Sequence, residues 1–255
     1  MHRKLLPLTS LLLALGLMVA NVASGALVHV QVAAESDDAE EHADGSIDLT
    51  SSDLEIVYDN DAAIPEDEQV VGIRFDGVDI PKGQVITRAY VRLDADDVAN
   101  DYHGGEVHAL IQVQFDPNPA TFEDAANNIS ARPRTAAVVP WSPVVWGEPT
   151  HLKYMTSDIS SVIQEIVDQD GWAAGNALVI IITQNPNAAS TGIREAESFD
   201  GAGDSEDRRP VLVVEYGAYH GPVDEICLEA EGADVLGAAW RVYDHPASSG
   251  GRHIG

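Results

Sequence analysis

The chain has 255 residues, with 14 Lys and Arg against 42 Asp and Glu and a formal net charge of −28. A surface this acidic repels phosphates and anionic headgroups, which argues against DNA, RNA and acidic membranes as partners and suits saline surroundings, where counterions screen the self-repulsion. Cys227 is the one cysteine, so no internal disulfide staples the fold and a hydrophobic core must hold it.

The basic start His2-Arg3-Lys4, the apolar run from Leu5 to Val22 and the small residues Ala23 to Ala26 have the layout of a secretory signal peptide. Residues 1–26 are therefore expected to direct export, with cleavage after Ala26 or, alternatively, after Ala34. Left uncleaved, the same run approaches the length of a membrane anchor. Either way the protein is expected to be secreted, extracellular or at the cell surface. Residues 27–49 follow, and their stretch ESDDAEEHADGSID is acidic and without periodicity, which predicts a solvated linker.

Strand signals begin at Leu54 to Val57. Val71, Ile73 and Phe75 alternate with Gly72, Arg74 and Asp76, and after the turn Ile80-Pro81-Lys82-Gly83 a second alternation sets Ala89, Val91 and Leu93 against Arg88, Tyr90 and Arg92. The longest places Val107, Ala109, Ile111, Val113 and Phe115 on one face, with His108, Gln112 and Gln114 on the other. Such period-two runs predict antiparallel sheets with one wet face.

One amphipathic helix is expected from about Asp158 to Gln169, with Ser157 as N-cap, Gly171 as stop and an apolar stripe of Ile159, Val162, Ile163, Ile166 and Val167. The continuous apolar run Ala177 to Thr183 predicts a central strand covered on both faces. Val211 to Tyr216 closes the domain. Residues 50–218 thus read as a mainly β domain, an antiparallel β-sandwich of jelly-roll type with one helix. Residues 219–255 read as a linker and the truncated start of a second β-sandwich module.

Three segments carry a resemblance: Val71-Gly72-Ile73-Arg74-Phe75, Val78-Asp79-Ile80-Pro81-Lys82-Gly83, and Ile86 through Leu93. With Ser157-Asp158-Ile159, Gly171-Trp172 and Arg209-Pro210 through Tyr216, they are similar to DNRLRE-type modules of bacterial extracellular proteins over residues 50–218. The resemblance implies a jelly-roll sandwich appended to secreted enzymes and adhesins, some of whose relatives bind polysaccharides. In the tail, Cys227-Leu228-Glu229-Ala230-Glu231, Trp240 and Ala247 through Gly255 resemble the first strands of a family 6-like carbohydrate-binding module. That likeness implies a structural calcium at Glu229 and Glu231.

Catalytic signatures are weak. There is no HExxH pair for zinc and no GxSxG elbow for a serine nucleophile. Glu195 and Glu197 in IREAESFDG share one strand face, as a glycosidase pair would require, but an ion-paired strand near Arg208 and Arg209 explains them as well. For sugar recognition the candidates are Trp141 and Trp146 of WSPVVW as stacking platforms, with Tyr90, Arg92 and Gln112 as a glycan-reading face; the competing readings are core tryptophans and a solvated sheet. Trp172 is expected to plug the helix end.

The expected function is a noncatalytic extracellular module, polysaccharide-binding or a structural spacer within a larger secreted protein. The alternatives are the accessory N-terminal part of a polysaccharide-degrading enzyme and a self-associating adhesion or matrix protein. The partner would be a polysaccharide or cell-surface glycan, either neutral or bridged through divalent cations.

Overall fold

The computed structural model describes residues 26–59, 67–98, 103–217, 242–244 and 252–254. In chain order the strands of the main body are β1 (Ala26–Gln31), β2 (Asp38–Glu41), β3 (Ile47–Asp48), β4 (Asp53–Ile56), β5 (Val70–Val78) and β6 (Ile86–Asp94). They continue as β7 (Ala109–Val113), β8 (Val139–Trp141), β9 (Lys153–Met155), β10 (Asn176–Gln184), β11 (Arg194–Glu197) and β12 (Val211–Tyr216). Two antiparallel sheets result, of order β1-β12-β6-β9 and β3-β2-β5-β10-β7-β8, with β4 and β11 paired as a separate ribbon.

The alternations foretold which side chains face inward. Ala89, Val91 and Leu93 of β6 and Leu212 and Val214 of β12 share one buried cluster with Val71, Ile73 and Phe75 of β5. Ile111 and Val113 of β7 and Leu178, Ile180 and Ile182 of β10 complete it. This is a β-sandwich core, in which burying each large aliphatic side chain contributes about 1.5–3 kcal/mol. Phe115 departs from the pattern and is exposed, because β7 ends two residues earlier at Val113.

The expectation of a doubly covered central strand holds for β10. It lies between β5 and β7, and its other face packs Val179 and Ile181 against Ala39, Phe122 and Ile129. Gly72, on the neighbouring strand, is what lets Phe122 sit there: a Cβ at that position would lie 2.5 Å from the phenyl Cζ.

The amphipathic helix is α1 (Ser160–Val167), and all five residues of its predicted stripe are buried. Its start is fixed by Asp158 rather than Ser157. The Asp158 Oδ1 accepts from the Ser160 N–H at 2.9 Å and the Ala89 N–H at 3.1 Å, tying the helix to β6. The Ser157 hydroxyl instead donates to the Pro140 carbonyl at 3.1 Å. Trp172 is buried and its indole N–H donates to the Ile80 carbonyl at 2.8 Å. A four-residue helix α2 (Phe199–Ala202) follows β11.

The expected acidic linker is corrected. Residues 27–49 contribute β1 to one sheet and β2 and β3 to the other, and Asp37, Asp38, Glu40 and Glu41 are buried. Each acid meets a donor far away in sequence. Arg74 reaches Asp37 at 2.6 Å, the Phe199 N–H donates to Asp38 at 2.8 Å, the Glu55 N–H donates to Glu40, and the Ile129 and Ser130 N–H groups donate to Glu41, both at 2.8 Å. Carboxylates so satisfied can be buried where free ones cannot.

The expected signal segment, residues 1–25, lies outside the described residues. Ala26, the first described residue, opens β1 and pairs with Tyr216; cleavage after Ala34 would delete all of β1. Beyond Gly217 the described residues are a short antiparallel pair, β13 (Val242–Asp244) and β14 (Arg252–Ile254). Glu229, Glu231 and the calcium expected there fall outside the described residues.

Candidate functional site

The five residues proposed for sugar binding are not brought together. Trp141 and Trp146 are 3% and 1% exposed, so neither offers a platform. Trp146 stacks on Tyr154 with ring centres 4.8 Å apart and planes 10° from parallel. Tyr90 and Arg92 alternate with the inward residues of β6 and so face the outside of the four-stranded sheet. There Tyr90 is buried with Val211 and Val213, with Leu27 and Met155 packed against them, and Arg88 lies over its ring at 5.1 Å. Gln112 faces the outside of the other sheet, where its side-chain amide donates to the Thr135 carbonyl at 2.8 Å.

Chemistry concentrates instead along the β4–β11 ribbon. Both strands alternate acid with apolar or basic residues, and the register sets Glu195 opposite Glu55 and Glu197 opposite Asp53. Like charges directly opposite one another in a sheet are destabilising. The end of β6 adds more on the other side of β11: Ala95 bridges Ala196, and the Asp96 N–H donates to the Glu195 carbonyl at 3.0 Å. Asp53, Glu55 and Glu195 thereby bring three carboxylate oxygens within 4.8 Å of one another. Asp96, His151 and Glu197 form a second such group, and Asp97, His103 and Glu195 a third that shares Glu195 with the first. A fourth group, His42, Asp59 and Asp67, is half-buried and holds an ordinary contact, His42 Nδ1 to Asp67 Oδ2 at 3.0 Å.

Burial dominates the electrostatics. It pushes Glu40 well above the usual carboxylate range, with Glu55 adding repulsion against the bond from the Glu55 N–H. Burial likewise raises Glu197, Asp53 and Asp96; for Glu197 and Asp53 the next contribution is repulsion between the acid and Asp96, and for Asp96 it is the opposing pull of His151. Basic side chains lie beside these acids. Arg208 lies 3.4 Å from Glu197, His151 lies 3.2 Å from Glu197 and 3.4 Å from Asp94, and Lys153 pairs with Asp94. The ion-paired reading of this strand therefore holds for Arg208, whereas Arg209 stacks on Phe199 at 4.2 Å. Glu195 and Glu197 are 1% and 2% exposed, which denies a sugar the access that a glycosidase pair needs.

Arg194 occupies the opposite face of β11 and is 1% exposed. Its guanidinium donates to the carbonyls of Val144 at 2.8 Å, His103 at 3.0 Å and Gly105 at 3.1 Å. Burial pulls its pKa down to about 10, so it stays charged and clamps two loops against the ribbon. Alternation sends its side chain to carbonyls rather than to the neighbouring acids of β11.

Among the described residues, no helix is long and apolar enough to cross a membrane. A comparison with protein-family models finds no match, and neither does a comparison with curated proteins.

Proposed function

We propose that the sandwich is a noncatalytic, structural module of a secreted protein rather than a sugar-binding one. The supporting observation is where its chemistry-bearing residues are spent. The rings suited to stacking, Trp141, Trp146 and Trp172, lie in the core, and the paired acids Glu195 and Glu197 are buried beside it. Sugar recognition needs flat rings and polar groups converging on an accessible surface; here the rings support the sheets, and the polar candidates are split between two outer faces.

An array of neutral and acidic polysaccharides, probed with the purified chain with and without calcium, tests this reading. The expected result is no binding above background and no release of reducing ends. Saturable binding that is lost in Arg92→Ala or Gln112→Ala, with unfolding unchanged, would overturn it in favour of a polysaccharide-binding module.

A further inference from the structure

We infer that Asp97, His103 and Glu195 form a binding site for a divalent transition metal of the zinc class. His103 carries the argument. It is 1% exposed, yet among the described residues neither of its ring nitrogens has a hydrogen-bond partner. Its Nε2 comes within 3.2 Å of Glu195 Oε1 without the geometry of a hydrogen bond. A buried imidazole left in this state is costly, and such groups in folded proteins have a reason.

The donor set supplies that reason. Two carboxylates and one imidazole place ligand atoms within 4.8 Å of one another. Two ligands on one tetrahedral zinc, each at about 2.0–2.2 Å, stand about 3.4 Å apart, close to the separation of His103 Nε2 and Glu195 Oε1. Calcium and magnesium prefer oxygen donors alone, whereas a nitrogen donor selects zinc and its neighbours. Three protein ligands leave a fourth position for water.

The surroundings keep the ligands ready. A metal takes the neutral imidazole, and burial lowers the His103 pKa, with Asp97 opposing and Arg194 assisting. The Arg194 clamp on the His103 and Gly105 carbonyls fixes the loop that carries the imidazole. On the other side Glu195 faces Glu55, so a cation on Glu195 would also relieve that like-charge pair.

The test is calorimetric titration of the chelator-stripped chain with Zn2+ and, separately, with Ca2+. The wild-type protein should bind Zn2+, His103→Ala should weaken that binding at least ten-fold, and His42→Ala should leave it unchanged. Absence of Zn2+ binding, or a His103→Ala protein that titrates like the wild type, overturns the site. Should His103→Ala fail to fold, X-ray absorption of the zinc-loaded His42→Ala, His151→Ala double variant decides: imidazole scattering in the zinc shell supports the assignment, and an all-oxygen shell overturns it.

Discussion

Glu195 stands directly across the β4–β11 ladder from Glu55, and both are buried. Like charges directly across a ladder are destabilising, on a scale of about 0.2–1 kcal/mol for a cross-strand pair. Glu55→Gln keeps an oxygen for the Gln69 amide, which donates to Glu55 at 3.3 Å, while removing the repulsion. In chelator this variant is expected to be more stable than the wild type by about 0.5–1 kcal/mol, read from urea unfolding. A destabilised variant would mean that the carboxylate is held by attractions stronger than the pair repulsion.

Stability should fall as pH rises from about 4 to about 7. Burial pushes Asp38 up to about 7, aided by Asp200 and Asp37 and opposed by the Phe199 N–H. A carboxyl whose folded pKa is raised binds its proton more tightly in the native state, so its contribution is complete below about pH 4 and lost between there and pH 7. Asp38→Asn should flatten the stability profile across that window by up to about 4 kcal/mol. Unfolding midpoints at half-unit pH intervals check this; parallel profiles for variant and wild type would refute it.

Replacement of the buried guanidinium should be severe. Arg194→Lys keeps the charge but cannot span three carbonyls with a planar fork. Losing charge-assisted bonds to buried carbonyls should cost about 2–4 kcal/mol, measured by denaturant unfolding. A cost near zero would show that the clamp does not hold the loops.

Trp146→Ala should destabilise the fold by about 3–5 kcal/mol, as expected for a large aromatic removed from a packed core, because its stacking partner Tyr154 would face a void. Trp141→Ala should behave in the same way. Unchanged thermal unfolding in either variant would return that ring to the surface and reopen the platform reading.

Most of the sandwich was legible because its signal is local. The alternation in β5, β6 and β7 reports which side of each strand is buried, and the spacing from Ile159 to Val167 reports a helix face. The linker was misread because the donors that satisfy Asp37, Asp38 and Glu41 lie dozens of residues away, at Arg74, Phe199, Ile129 and Ser130; composition alone cannot reveal them. The same distance hid His103. Half of the site had a visible trace, since Asp53 and Glu55, like Glu195 and Glu197, alternate as strand residues do. Nothing in the sequence pairs those two strands or brings the loop at His103 beside them.

The pairing of Ala26 with Tyr216 places the two ends of the module side by side at one edge. Along the same sheet Tyr216 neighbours Ile86 and Val211 neighbours Arg92, so Asp94 and Asp96 lie at the opposite extremity. A pull on the two ends would peel β1 from β12 one residue pair at a time rather than load the ladder all at once. Such a body suits a pendant better than a link in a chain under tension, with the carboxylate-rich tip at the end of the sheet away from the Ala26–Tyr216 pair.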